Sequence, residues 1–174
     1  MKSEQEKTEQ DKAKSPKKER PKKARVKKAK GHDFTKRNKV SVWVSQHPYA
    51  EIPDDYFEET FSRNKTRATN AWSANFNLKF FNPSNLATNG THEGTLDIKK
   101  AAGECSFSAS FIDILMSNAK RKNLEKVTWI VLLYGYEYSV RVSGVDKDKY
   151  MSFLGGFDYD DDADNVYEAN TEKT

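Results

Sequence analysis

The chain has 174 residues, enough for one domain with a tail. Its net charge of +4 hides an asymmetry: residues 1–38 hold 15 of the 30 Lys/Arg and 6 of the 26 Asp/Glu, a net +9, whereas residues 39–174 hold the other 15 and 20, a net −5. A single cysteine excludes an internal disulfide, no stretch reaches the roughly 18 apolar residues of a membrane span, and the start lacks the apolar core of a secretory signal, so a cytoplasmic, reducing setting without membrane contact is expected.

Residues 1–38 have almost no bulky apolar side chains and cannot offset their ordering entropy by burial, so a disordered basic arm is expected there. Lys17, Lys18, Lys22, Lys23, Arg25, Lys27 and Lys28 are its candidates for phosphate contacts with nucleic acid. The interleaved aromatics that stack on bases are missing, and a solvated tether is the competing reading.

Residues 39–162 read as one domain. "KVSVWVS" alternates, with Val40, Val42 and Val44 on one side and Ser41, Trp43 and Ser45 on the other, which predicts a strand. "IPDDYFEETF" places Pro53 near a helical start and Asp54 and Asp55 in the first turn, and its spacing predicts a helix with Tyr56, Phe57 and Phe61 inward. Residues 64–104 are polar and turn-rich. "NFNLKFF" alternates like a strand, "TLDIKK" reads as another, and so long a structureless stretch would be unusual in a compact domain.

"SFSASFIDILMSNAKRKNLEKV" predicts the strongest helix. Ser106 or Ser108 caps it, and Phe107, Phe111, Ile114, Leu115 and Ala119 form its stripe. Lys120–Lys122 fill the last turn, Asn123 takes the left-handed stop and Leu124 packs back. "VTWIVLLYGYEY" is apolar on both sides and predicts a central buried strand that surfaces at Tyr136, Glu137 and Tyr138. "YMSFLGGFDY" predicts a last strand with Met151, Phe153 and Phe157 inward and a bulge at its glycines. Residues 163–174 read as a flexible acidic tail. The fold class expected is α+β: one sheet of about four to six strands with two or more helices packed on it.

Catalytic chemistry finds little support. The domain offers Cys105, His47 and His92 in no recognised spacing, and no phosphate loop or hydrolase signature is present, so no enzyme and no cofactor are expected. The aspartates after Tyr159 do not complete a calcium loop. Counting from Asp158 or Asp160 puts Ala169 or Thr171 where the closing glutamate belongs.

"KVSVWVS", "PDDYFEETF", "SFSASFIDILMSNAKRKNLEKVTWIVLLYGYEY" and "VSGVDKDKYMSFLGGFDYD", in this order, resemble the immunity protein 22 family of bacterial polymorphic toxin systems, over residues 39–64 and 104–160. The resemblance implies an α+β fold and a non-enzymatic partner-binding role, neutralising a cognate toxin domain. It implies no residue-level site. The charge pattern supplies one: Glu51, Asp54, Asp55, Glu58 and Glu59, with Asp158, Asp160, Asp161, Asp162 and Asp164, form an acidic surface suited to a basic groove, and Tyr136, Tyr138 and Tyr159 are anchor candidates. Plain solubilising carboxylates are the alternative.

Overall fold

The computed structural model describes residues 31–171. In chain order they form β1 (Thr35–Ser45), β2 (Thr60–Phe61), β3 (Ala68–Thr69), α1 (Ala71–Asn75), β4 (Leu86–Gly90), β5 (Leu96–Asp97), α2 (Ile98–Gly103), α3 (Ile112–Lys122), β6 (Lys126–Val127), β7 (Trp129–Tyr136), α4 (Val140–Ser143), β8 (Ser152–Asp158) and α5 (Val166–Thr171). The fold is α+β. An antiparallel sheet in the order β4-β7-β1-β8 forms its middle layer.

The alternation in β1 is real, but both sides are buried. Val40, Val42 and Val44 pack with Ile130 and Leu132 of β7 against Ile98, Ala101, Leu115 and Ala119 of α2 and α3. Trp43, Val131 and Leu133 face the opposite way, into an aromatic layer of Trp72, Phe76, Phe81, Tyr138 and Phe153. Trp43 meets Trp72 edge-on at 4.9 Å, and both are fully buried. Burying each such ring stabilises the fold by roughly 2–3 kcal/mol.

The bulge predicted at the glycines is present. Val42 pairs with Gly155 but Trp43 pairs with Phe153, so Leu154 is the extra residue. That extra residue breaks the two-residue period. Met151 and Phe153 face the aromatic layer as expected, whereas Leu154 and Phe157 both face the helices.

The helical stop at α3 is also as expected. Asn123 is left-handed at φ 56° and the Leu124 N–H donates to the Ala119 carbonyl at 2.8 Å. Its start is not: a separate 3-10 turn covers Ser108–Ser110, and α3 begins at Ile112 without a side-chain cap. Ile114, expected on the stripe, is 61% exposed, because the buried arc centres on Ile112, Leu115 and Ala119.

Three expectations are corrected. The helix over Pro53–Phe61 is absent. Asp54–Tyr56 makes a single 3-10 turn, while Thr60 and Phe61 pair with Thr69 and Ala68. Tyr56 and Phe57 are instead held by rings from other segments, Tyr150 at 5.2 Å and Trp72 at 6.3 Å. The strand over residues 75–81 is replaced by α1 and irregular chain; Asn77 sits at φ 56°, which a strand forbids. "TLDIKK" is only strand at Leu96–Asp97 before α2 begins.

The ends of the domain also differ from expectation. The basic-arm reading over residues 1–38 fails at its last residues. His32 bridges to Leu78, Phe34 is buried beside Tyr138 at 5.0 Å, and β1 starts at Thr35. The tail reading fails too, because the Val166 N–H donates to Ser108 Oγ and Val166 is buried.

Candidate functional site

The two acidic groups lie at opposite ends of the sheet. The first follows β1. Pro48 and Pro53, at φ −51° and −60°, each precede a 3-10 turn, Tyr49–Glu51 and Asp54–Tyr56. Proline fixes φ and lacks an N–H, so neither turn extends backward into a longer helix. The loop therefore presents Glu51, Asp54, Asp55, Glu58 and Glu59 to solvent. Glu51 has only His47, at 3.7 Å. The other four make no ion pair among the described residues.

The second group follows β8. Asp158 lies opposite Lys39 in the sheet and pairs with it at 2.8 Å. Lys39 also reaches Glu137, which binds Lys36. The Asp158 contact, with Glu137, raises the Lys39 pKa despite partial burial, and the Lys36 hydrogen bond holds Glu137 below the usual carboxylate range. Lys36, Lys39, Glu137 and Asp158 thus offset one another, while Asp160, Asp161, Asp162 and Asp164 make no ion pair among the described residues. The Asp160 N–H donates to Ser110 Oγ, Asp160 Oδ1 accepts from the Asp162 N–H, and the Ala109 N–H donates to the Asp164 carbonyl. The segment folds back along the start of α3. From Lys39 to Ser45, β1 spans about 20 Å at about 3.3 Å per residue, so the two groups are separate surfaces.

The carboxylates of Asp160, Asp161 and Asp162 approach within 4.8 Å of one another, all exposed. Their internal hydrogen bonds are those of a turn, and among the described residues no further His, Cys, Asp or Glu joins the group.

Of the three tyrosine anchors, two are not on the surface. Tyr136 is 3% exposed and its oxygen accepts from the Asn82 N–H. Tyr138 is 4% exposed. Its hydroxyl donates to the Val145 carbonyl and accepts from Ser143 Oγ, each at 2.6 Å, and burial pushes its pKa up to about 12. They belong to the aromatic layer because that layer reaches past the end of β7. Tyr159 is half-buried, stacked on Phe107 at 5.4 Å and edge-on to Tyr134. The residues that sequence reasoning missed are Tyr49 and Trp129. Their rings, 5.3 Å apart, sit beside the first acidic group, and Tyr49 is 37% exposed. An aromatic just after "HP" was the available signal.

Cys105 is buried among the helices. Its Sγ donates to the Ala101 carbonyl at 3.6 Å rather than facing a histidine, and burial, with Glu104 nearby, pushes the thiol up to about 11. His47 stacks edge-on with Tyr150, and His92 with Tyr49. Lys17, Lys18, Lys22, Lys23, Arg25, Lys27 and Lys28 lie outside the described residues. No helix among the described residues is long and apolar enough to cross a membrane.

Fold and surface together define an α+β domain built on a four-stranded antiparallel sheet with two small two-stranded sheets beside it, its candidate carboxylates set at two separate ends rather than gathered in a cleft. The chain belongs to the Immunity protein 22 family, whose family model matches residues 40–160, and this match runs through the middle stretch that motif comparison left unaligned. Membership supports an immunity function, with a toxin protein as partner. No curated protein and no solved structure matches the chain.

Proposed function

We propose that this protein is a non-enzymatic inhibitor that binds a cognate toxin domain through an acidic surface, and that the toxin presents a basic, nucleic-acid-handling groove. Family membership over residues 40–160 carries the reading. The net charge of −5 over residues 39–174 agrees with it in sign, because carboxylates steer association toward a basic face and select against acidic ones. Exposed Asp and Glu at the two ends of the sheet supply ten of the 20 carboxylates in that stretch.

Co-expression with the toxin domain encoded immediately beside this chain tests the reading. Restored growth and a co-purifying complex are the expected results. Undiminished toxicity with no complex at micromolar concentrations sinks it.

A further inference from the structure

Trp129 opens β7, opposite Gly90 of β4 and Ser45 of β1. The edge of its six-membered ring packs directly on Gly90. A Cβ there would sit 2.2 Å from Trp129 Cε3 and 2.5 Å from the Thr128 carbonyl, so only glycine leaves the ring its place. Tyr49 leans on this indole at 42°, and His92 abuts Tyr49 edge-on at 4.3 Å. Tyr49, Ile52, Pro53, Asp54, Phe57 and Trp129 enclose a slot of about 180 Å³. That volume suits one long side chain and no folded element.

The slot has an aromatic wall and an acidic lip. Asp54 lines it, and its carboxylate makes no ion pair or side-chain hydrogen bond among the described residues, whereas Asp158 at the far end already holds Lys39. A planar cation answers both features. A guanidinium stacks on indole and phenol faces and offers a fork of N–H donors to a carboxylate, while an ammonium supplies only a point charge.

We propose that this slot receives one arginine side chain of the protein partner. The inference rests on the toxin-binding reading and names the anchor within it. The two proline-led turns and the ring held against Gly90 keep the slot formed before binding, which lowers the ordering cost.

The small-molecule test uses N-acetylarginine amide on the full chain, followed by the indole N–H resonances of the three tryptophans. Trp43 and Trp72 are fully buried, so a saturable shift confined to Trp129 is expected, with millimolar affinity. Asp54→Asn weakens it about tenfold at unchanged melting temperature, and Tyr49→Ala, which removes one wall, weakens it as much. The neutral isostere N-acetylcitrulline amide gives no such shift. No shift with the arginine probe, an equal shift with citrulline, or unaltered affinity in both variants overturns the slot.

In a second arm the neighbouring toxin domain is titrated onto the same variants. A weakened complex supports the slot. Undiminished toxin binding by both variants overturns the slot as anchor and leaves the immunity reading intact. Absence of any toxin complex with the unaltered chain, alongside a Trp129 response to arginine, removes the immunity reading and the toxin as occupant together.

Discussion

Asp148 predicts the largest single-site loss of stability outside the apolar core. Its carboxylate accepts from the Tyr56 hydroxyl, from Asn75 Nδ2 at 3.0 Å, and from the Tyr150 and Met151 N–H groups at 2.9 and 2.7 Å. It thereby ties the acidic loop to α1 and to the entry of β8. Burial first, and this hydrogen bond second, push the Tyr56 phenol far above its ordinary pKa, so it stays a donor. In Asp148→Ala the exposed Asn75 rehydrates, but Tyr56 and Met151, 3% and 1% exposed, keep buried donors without a partner. Two such losses to a charged acceptor cost about 3–5 kcal/mol. At roughly 2–4 °C per kcal/mol for a domain of this size, the melting temperature falls by about 10 °C. Tyr56→Phe removes one bond and costs about 1.5 kcal/mol. Urea unfolding of both single variants and the double variant closes a cycle, with a coupling of at least about 1 kcal/mol expected. A loss under about 1 kcal/mol in Asp148→Ala, or strict additivity in the cycle, refutes the account.

The other predictions concern buried groups. Cys105 titrates higher in the folded protein, about 11 against 9.0, so its contribution to stability is complete below about pH 9 and is lost as pH rises toward 11. Thiol labelling at pH 8 is at least about 100-fold slower in the native protein than in concentrated urea; equal rates defeat this. Gly90→Ala forces the Trp129 ring off its strand, costing about 1–3 kcal/mol and altering the near-ultraviolet tryptophan circular dichroism. An unchanged spectrum and melting temperature contradict the close approach.

Elements whose determinants are local were legible in the sequence. The stop of α3 needs only Asn123 and Leu124, and β7 needs only its unbroken apolar run. The α1 cap was equally local: the Asn70 side chain accepts from the Ser73 N–H while Ser73 Oγ accepts from the Asn70 N–H, a reciprocal pair written in "NAWSAN". The strand-like spacing of Phe76, Leu78 and Phe80 obscured it. What stayed illegible depends on distant partners. Tyr56 and Phe57 had helical spacing, yet Asp148, Tyr150 and Trp72 decide their positions. Tyr136 and Tyr138 read as surface anchors because they follow a glycine in polar company. The aromatic layer that buries them joins Trp43 and Phe153 of the sheet to Phe34, Phe76 and Phe81 from distant segments, a meeting no local period announces. The acidic residues were legible as exposed, but not as two groups on different ends.

That separation bears on how the surface works. The ends of β1 lie about 20 Å apart, against a screening length of about 8 Å at physiological salt, so the two groups do not act as one field on a docked partner. They also differ in kind. At the β8 end Lys36, Lys39, Glu137 and Asp158 neutralise one another, and a partner's cation must compete with Lys39 for Asp158. At the loop end Asp54, Asp55, Glu58 and Glu59 pair with no cation among the described residues, and an aromatic slot lies beside Asp54. Specificity requires direction as well as charge, and only the loop end joins charge to a shaped apolar wall. Asp160, Asp161 and Asp162 are better suited to long-range attraction during approach, since their backbone is engaged with Ser110 and with each other and the adjacent Tyr159 ring is held against Phe107 and Tyr134. Steering from one end and seating at the other assign different roles to carboxylates that composition alone makes equivalent.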